Sequence, residues 1–182
     1  MRAKGSILLD YVRIIRANKD LNWNRHLRPE DWEIINSKIL PSQWYPLETY
    51  RRVGNAVFRE VAKSNLETTR QFGRFNIKNV LQIYKNILVP GNPVKSVSNY
   101  IVLQKTFIDD NTDKARVAAQ GQDSLLYDMT NLSEVYESAE LEQFSYQIAG
   151  NLEALVEEAT GKKAKATITR KPDGFEILVK WG

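Results

Sequence analysis

The chain carries one histidine, His26, in the segment NWNRHLRPED, between a polar loop and the start of a helix. A hydrolase triad would have to use it, with a carboxylate such as Asp31 and an aligned hydroxyl. No Gly-x-Ser-x-Gly turn exists to present that hydroxyl. A loop histidine in local hydrogen bonds is the simpler expectation. There is no cysteine, which removes disulfides, cysteine-ligated zinc and thiolate nucleophiles together. Only an all-oxygen metal site is left. The acidic turn Asp109, Asp110 and Asp113 lacks the sixth-position glycine and twelfth-position glutamate of a calcium loop. Phosphate-binding glycine patterns are absent as well. Glu157 and Glu158 are adjacent on a helix and so cannot face one substrate. No catalytic constellation emerges, and a non-enzymatic protein is expected.

What remains is aromatic. Trp44, Tyr45, Tyr50, Phe72, Phe75, Tyr84 and Tyr146, together with Gly54, form the candidate ligand-pocket set. Aromatic rings give such a pocket its apolar wall and tyrosine hydroxyls its few polar anchors. The competing reading is that these side chains pack an ordinary core.

Helices must position most of them. Ile7, Leu8, Tyr11, Val12, Ile14 and Ile15 recur at helical spacing over residues 6–18. A second helix begins near Pro29, with Glu30 and Asp31 in its first turn, and ends by Pro41. Pro46 leads into a third helix that carries Leu47, Tyr50, Val53, Gly54, Val57, Phe58 and Val61. A fourth runs through Phe72, Gly73, Phe75, Ile77, Val80, Leu81, Tyr84 and Leu88, and a fifth spans about 93–108. A helix-interior glycine costs about 1 kcal/mol against alanine, so Gly54 and Gly73 imply close approach of a neighbouring helix or a ligand. The pattern then changes. After the polar turn DDNTDK, the segments ARVAAQG and SLLYDMT read as strands. A long helix capped by Ser138 follows and stops at Thr160 and Gly161. A last hairpin turns at Lys171, Pro172, Asp173 and Gly174. Two isolated strands are marginal, so the two hairpins should join. The expected class is α+β: a helix-rich N-terminal two-thirds packed with a four-stranded antiparallel sheet from the C-terminal third.

The chain has 182 residues, a formal charge of +4 and 26% charged residues. That length suits one domain spanning 1–182, and burial of roughly 70% of the unfolded surface. Basic residues fall in short clusters (Arg51 and Arg52; Lys162, Lys163 and Lys165; Arg170 and Lys171) that read as solvated faces, which argues against nucleic-acid binding. No apolar run approaches a membrane span or a signal-peptide core, and a cytoplasmic location is expected.

Three segments together resemble a bacterial family expanded in myxobacteria, domain of unknown function 2378. They are AKGSILLDYV, LPSQWYPLETYRRVGNAVFREVAKSNLETTRQFGRF and YQIAGNLEALVEEATGKKAKATITRKPDGFEILVKWG. The layout is similar to vinyl-reductase-type sensor domains, to one class of TRAPP trafficking subunits and to haem nitric-oxide/oxygen-binding domains. That resemblance implies helices and an antiparallel sheet around a slot for haem, an aromatic effector or an acyl chain, or a domain that simply pairs with partners. Haem is not expected: the family's proximal histidine has no counterpart in the helix around 93–108. Its Tyr-x-Ser-x-Arg motif is met only by Tyr136-Glu137-Ser138-Ala139-Glu140, with a glutamate for the arginine. The zinc-binding and acylated cysteines of the other branches are absent too. The leading expectation is a module that binds or senses a small apolar or aromatic ligand without covalent attachment. The alternative is a homodimeric scaffold that pairs through the wide apolar faces of the first helix and of residues 46–63.

Overall fold

The computed structural model describes residues 1–109, 115–132 and 136–182, which form two compact units. The first comprises Met1–Asn65 and Gln104–Asn111; the second comprises Leu66–Leu103 and Thr112–Gly182.

In the first unit, β1 (Arg2–Lys4) leads directly into α1 (Gly5–Ala17). α2 (Pro29–Asn36), β2 (Trp44–Pro46), α3 (Leu47–Glu60) and β3 (Ile108–Asp109) follow. The strands form a small antiparallel sheet in the order β2-β1-β3, with Ala3 opposite both Tyr45 and Ile108. Leu8, Val12 and Ile15 of α1 meet Val53, Ala56 and Val57 of α3 in one core, closed by Trp23, Ile35 and Ile39. Pro29 opens α2 as its spacing predicts, and Asp31 accepts the Arg28 backbone N–H at 2.9 Å, which satisfies a donor that a helix start leaves unpaired. The helix ends at Asn36, short of Pro41, because Ser37 is already extended. Arg16 of α1 donates to the Ile35 and Ser37 carbonyls there, supplying charge-assisted partners to the C-terminal end. The apolar face of α3 expected to serve a homodimer is turned inward: Val53 and Val57 are buried inside this unit.

In the second unit come α4 (Leu66–Ile83), α5 (Pro93–Lys105), β4 (Ala115–Gly121), β5 (Ser124–Met129), α6 (Ser138–Thr160), β6 (Ala164–Lys171) and β7 (Gly174–Trp181). The sheet is antiparallel in the order β4-β5-β7-β6, so the two hairpins join through β5 and β7, as expected. Leu125 and Tyr127 of β5 and Phe175, Ile177 and Val179 of β7 point inward to Ile148, Leu152 and Leu155 of α6. The fourth helix starts earlier than its aromatics suggest and yields at Tyr84 to a 3-10 turn, Lys85–Ile87. Ser138 is the first helical residue of α6 rather than its cap. Glu137 takes the cap position, and its N–H donates to the Glu140 carboxylate at 3.1 Å. Gly161 closes α6 with φ of 68°, a left-handed conformation open to glycine. The expected polar turn lies, from Asp110 to Lys114, outside the described residues; Asp109 is engaged by Arg2 at 2.6 Å.

Candidate functional site

In the first unit, His26 and Asp31 each bond a neighbouring polar side chain. His26 Nε2 lies 2.7 Å from the Glu60 carboxylate. That hydrogen bond, aided by nearby positive charge, holds Glu60 below the usual carboxylate range. Asp31 is 0% exposed. It accepts Arg52 Nε at 2.8 Å and Nη2 at 2.7 Å, and the Thr49 hydroxyl as well. Burial alone would raise its pKa, but Arg52, the Arg28 amide and Thr49 outweigh burial and keep it ionised. His26 thus meets a carboxylate, but that of Glu60 rather than of Asp31, which is held by Arg52 instead. Arg52, read from the sequence as part of a solvated cluster, is mostly buried.

The candidate aromatics of this unit take different positions. Trp44 lies beneath the Arg2 and Lys4 cations, 5.5 and 5.3 Å from its ring centroid. Its neighbour Tyr45 points to the opposite face of β2, is buried, and accepts the Leu40 amide at 3.0 Å. Tyr50 packs against Tyr11 at 5.6 Å. The same Tyr11 ring enters the space beside Gly54, where a Cβ would sit 3.2 Å from it. Tyr50 and Gly54 are therefore brought together by α1, and at Gly54 the close neighbour is a helix.

In the second unit, Phe72 and Phe75 share one face of α4 with Ile83, since offsets of three and eleven residues return to the same side of a helix. These three are 42%, 67% and 74% exposed, while Gly73 and Ile77, a quarter-turn or more round the helix from Phe72, are buried. Gly73 meets the Gln147 carbonyl of α6, and Gly150 of α6 meets the Arg70 carbonyl. Tyr146 lies under the Arg70 guanidinium, 5.2 Å away, and Tyr84 packs against the core. Where α4 and α6 cross, Glu153 accepts Arg70 at 3.2 Å and Arg74 at 3.0 Å, and Glu157 accepts Arg74 at 2.6 Å. Burial would raise the Glu157 pKa; the Ala164 amide and Arg74 reverse this and lower it.

A buried polar trio lies deeper in this unit: Tyr100 of α5, Tyr127 of β5 and Asn151 of α6. Asn151 Nδ2 donates to Tyr100 Oη at 2.7 Å, while its Oδ1 has no partner among the described residues although the residue is only 2% exposed. Turning the amide over would give Tyr100 the oxygen and strand the nitrogen, so one polar atom is left over either way. Such an atom costs about 1–3 kcal/mol. Burial pushes the Tyr127 phenol up, and its hydroxyl stands 3.6 Å from Met129 Sδ. The candidate set omitted this trio, but a signal was present: Asn151 interrupts the core stripe Ile148, Leu152 and Leu155 of α6.

Among the described residues no three His, Asp or Glu side chains converge to hold a metal ion. α5 carries no histidine. In the segment Tyr136–Glu140, the Tyr136 ring stacks on Phe144 at 5.3 Å, and the Ser138 carbonyl and hydroxyl accept Arg170 at 3.1 and 3.0 Å. Glu140 is engaged in the start of α6.

No family model and no curated protein matches the sequence. Several solved structures match its fold. A mutant H-NOX from T. Tengcongensis aligns over 98% of this chain and 97% of its own, with 15% identity and a TM-score of 0.64. A Fe(II) unliganded H-NOX mutant from K. algicida aligns over 98% and 96%, with 12% identity and a TM-score of 0.62. An Fe(II)-state H-NOX mutant from S. oneidensis aligns over 98% and 96%, with 8% identity and a TM-score of 0.65. The chain shares the H-NOX fold along its length. Membership of the 2378 family stays a resemblance.

Proposed function

We propose that this protein is a non-enzymatic module that binds or senses a small apolar or aromatic molecule on an H-NOX fold, without haem. The observation that carries the reading is the exposed stripe Phe72, Phe75 and Ile83 on α4. Large rings left uncovered on one helix face are where apolar ligands and partners make contact. Likeness to H-NOX structures over nearly the whole chain adds to it by fold-level analogy alone.

The residues present do not suit haem. A haem iron needs an axial ligand such as histidine, cysteine, methionine or phenolate. The histidine that the resembled haem domains use is missing from α5, the chain's single histidine is bonded to Glu60, cysteine is absent, and Met129 Sδ faces the Tyr127 hydroxyl, whose proton burial retains. Glu140, standing where the family's motif has arginine, would repel a propionate and instead serves a helix start.

Native mass spectrometry of the freshly purified full chain tests the proposal, with the same sample then denatured. The expected result is a non-covalent, iron-free mass that disappears on denaturation. It should be lost from a Phe72→Ala, Phe75→Ala double variant whose melting temperature stays close to that of the parent, since both rings are exposed. An iron-porphyrin mass would overturn the haem-free reading. A bare chain under every growth condition would overturn the ligand-binding one.

A further inference from the structure

The amide of Asn151 is only half used. Nδ2 donates to Tyr100 Oη, whereas Oδ1, shut off from solvent, meets no donor among the described residues. Its neighbours on the same face of α6, Ile148 and Leu155, are apolar. The backbone of α4 passes close by at Gly73, where a Cβ would lie 3.1 Å from Asn151 N, so no side chain comes from there. Tyr127 is short of a partner too. Its hydroxyl donates to Met129 Sδ at 3.6 Å, and a thioether is a weak acceptor. Burial, and then the nearby Tyr100 phenol, keep Tyr127 from ionising, which places all three polar groups in one neighbourhood.

The two needs are complementary. Asn151 Oδ1 needs a donor, and the Tyr127 hydroxyl needs a stronger acceptor than sulfur. A carboxylate would bring no proton for Oδ1, and an ammonium no lone pair for Tyr127. Either charge would also be stranded in an apolar core. A neutral hydroxyl that donates on one side and accepts on the other suits both. Tyr100, Tyr127 and Asn151 are 5%, 0% and 2% exposed, so the guest must be small enough to be enclosed. Buried waters typically make about three hydrogen bonds to polar groups that the fold leaves unsatisfied. We infer that Asn151, Tyr127 and Tyr100 form a binding site for one buried water, which donates to Asn151 Oδ1 and accepts from the Tyr127 hydroxyl. The water extends the bond between α5 and α6 to β5, so that three elements share one polar junction.

The test is oxygen-17 magnetic relaxation dispersion of the full chain, which counts waters held longer than the molecule takes to tumble. It is run on the wild type, Asn151→Leu, Tyr127→Phe and the double variant, each checked for folding by circular dichroism. Either single substitution should remove one long-lived water. The double variant should lose no more than one, because both substitutions open the same site. Tyr127→Phe deletes one oxygen and keeps the ring, so its loss of a water decides the matter if Asn151→Leu does not fold. A dispersion that the folded variants leave unchanged overturns the proposal. A double variant that loses two waters overturns it as well, since the residues would then serve separate sites. So does a small organic mass held by the wild type in native mass spectrometry and missing from Tyr127→Phe, because the site would then take a ligand's hydroxyl in place of water.

Discussion

Gly54, Gly73 and Gly150 each lie inside a helix where alanine would be favoured by about 1 kcal/mol, and the neighbours of each explain why glycine stands there. A methyl group on Gly150 would run into the Arg70 carbonyl and one on Gly73 into the Gln147 carbonyl, both backbone atoms that cannot swing aside. At Gly54 the obstacle is the edge of the Tyr11 ring at 3.2 Å, a side chain able to yield by a few tenths of an ångström. The same substitution should therefore behave differently at these sites. Gly150→Ala is expected to cost about 1–3 kcal/mol through overpacking. Gly54→Ala should fall within about 1 kcal/mol of neutral, because helix propensity offsets the strain. Urea denaturation of the two variants checks this; a Gly150→Ala protein as stable as its parent would mean that α4 and α6 do not cross so closely. The need for close approach at Gly54 and Gly73 was legible in the chain. What approached was not, because the helix faces that meet are distant in sequence. Asn151 shows the same limit: its place on a core stripe was visible, its single bond to Tyr100 was not.

The bonds from Glu153 and Glu157 to the β6 amides tie α6 to the edge of the sheet, and this strap can be measured as a unit. Glu153→Ala should speed hydrogen exchange at the Ala166 amide roughly five- to tenfold, and Glu157→Ala should do so at Ala164, as expected for losing one net hydrogen bond. Amides of β6 that bond β7 should change less. Unaltered exchange at Ala166 in Glu153→Ala would show that the strap is not formed. Elements of this length were readable. The two hairpins, α6 and its glycine stop follow from alternation, helical spacing and a left-handed cap. The small sheet of the first unit was missed. β1 and β2 have three residues each and β3 two, too few for any period to show, and their pairing closes contacts such as Arg2 with Asp109.

The carboxyls held low set how the whole molecule responds to acid. Asp31 and Glu60 lie in the first unit and Glu157 in the second, and all three sit below their ordinary values of 3.8, 4.5 and 4.5. A group whose folded pKa is depressed contributes stability that is fully present above its unfolded pKa and is lost as pH falls through the folded one. Stability should therefore stay level from about pH 7 to about pH 5 as far as these groups decide it, then fall below about pH 4.5. Asp31→Asn should flatten part of that fall. Urea midpoints across a pH series test this, and a decline already complete by about pH 5 would contradict it.

Sequence alone determined the α+β class, the order of the long elements, the antiparallel C-terminal sheet and the absence of cysteine chemistry. These rest on local periodicity, turn residues and composition, which need no knowledge of distant neighbours. Tertiary structure alone decided that His26 meets Glu60, that Asp31 and Arg52 form a buried pair, and that Phe72 and Phe75 stay exposed while Tyr45 does not. It also decided which sheet edge is blocked. Each of these depends on which faces pack together, and a helical stripe looks the same whether another helix, a sheet or water covers it.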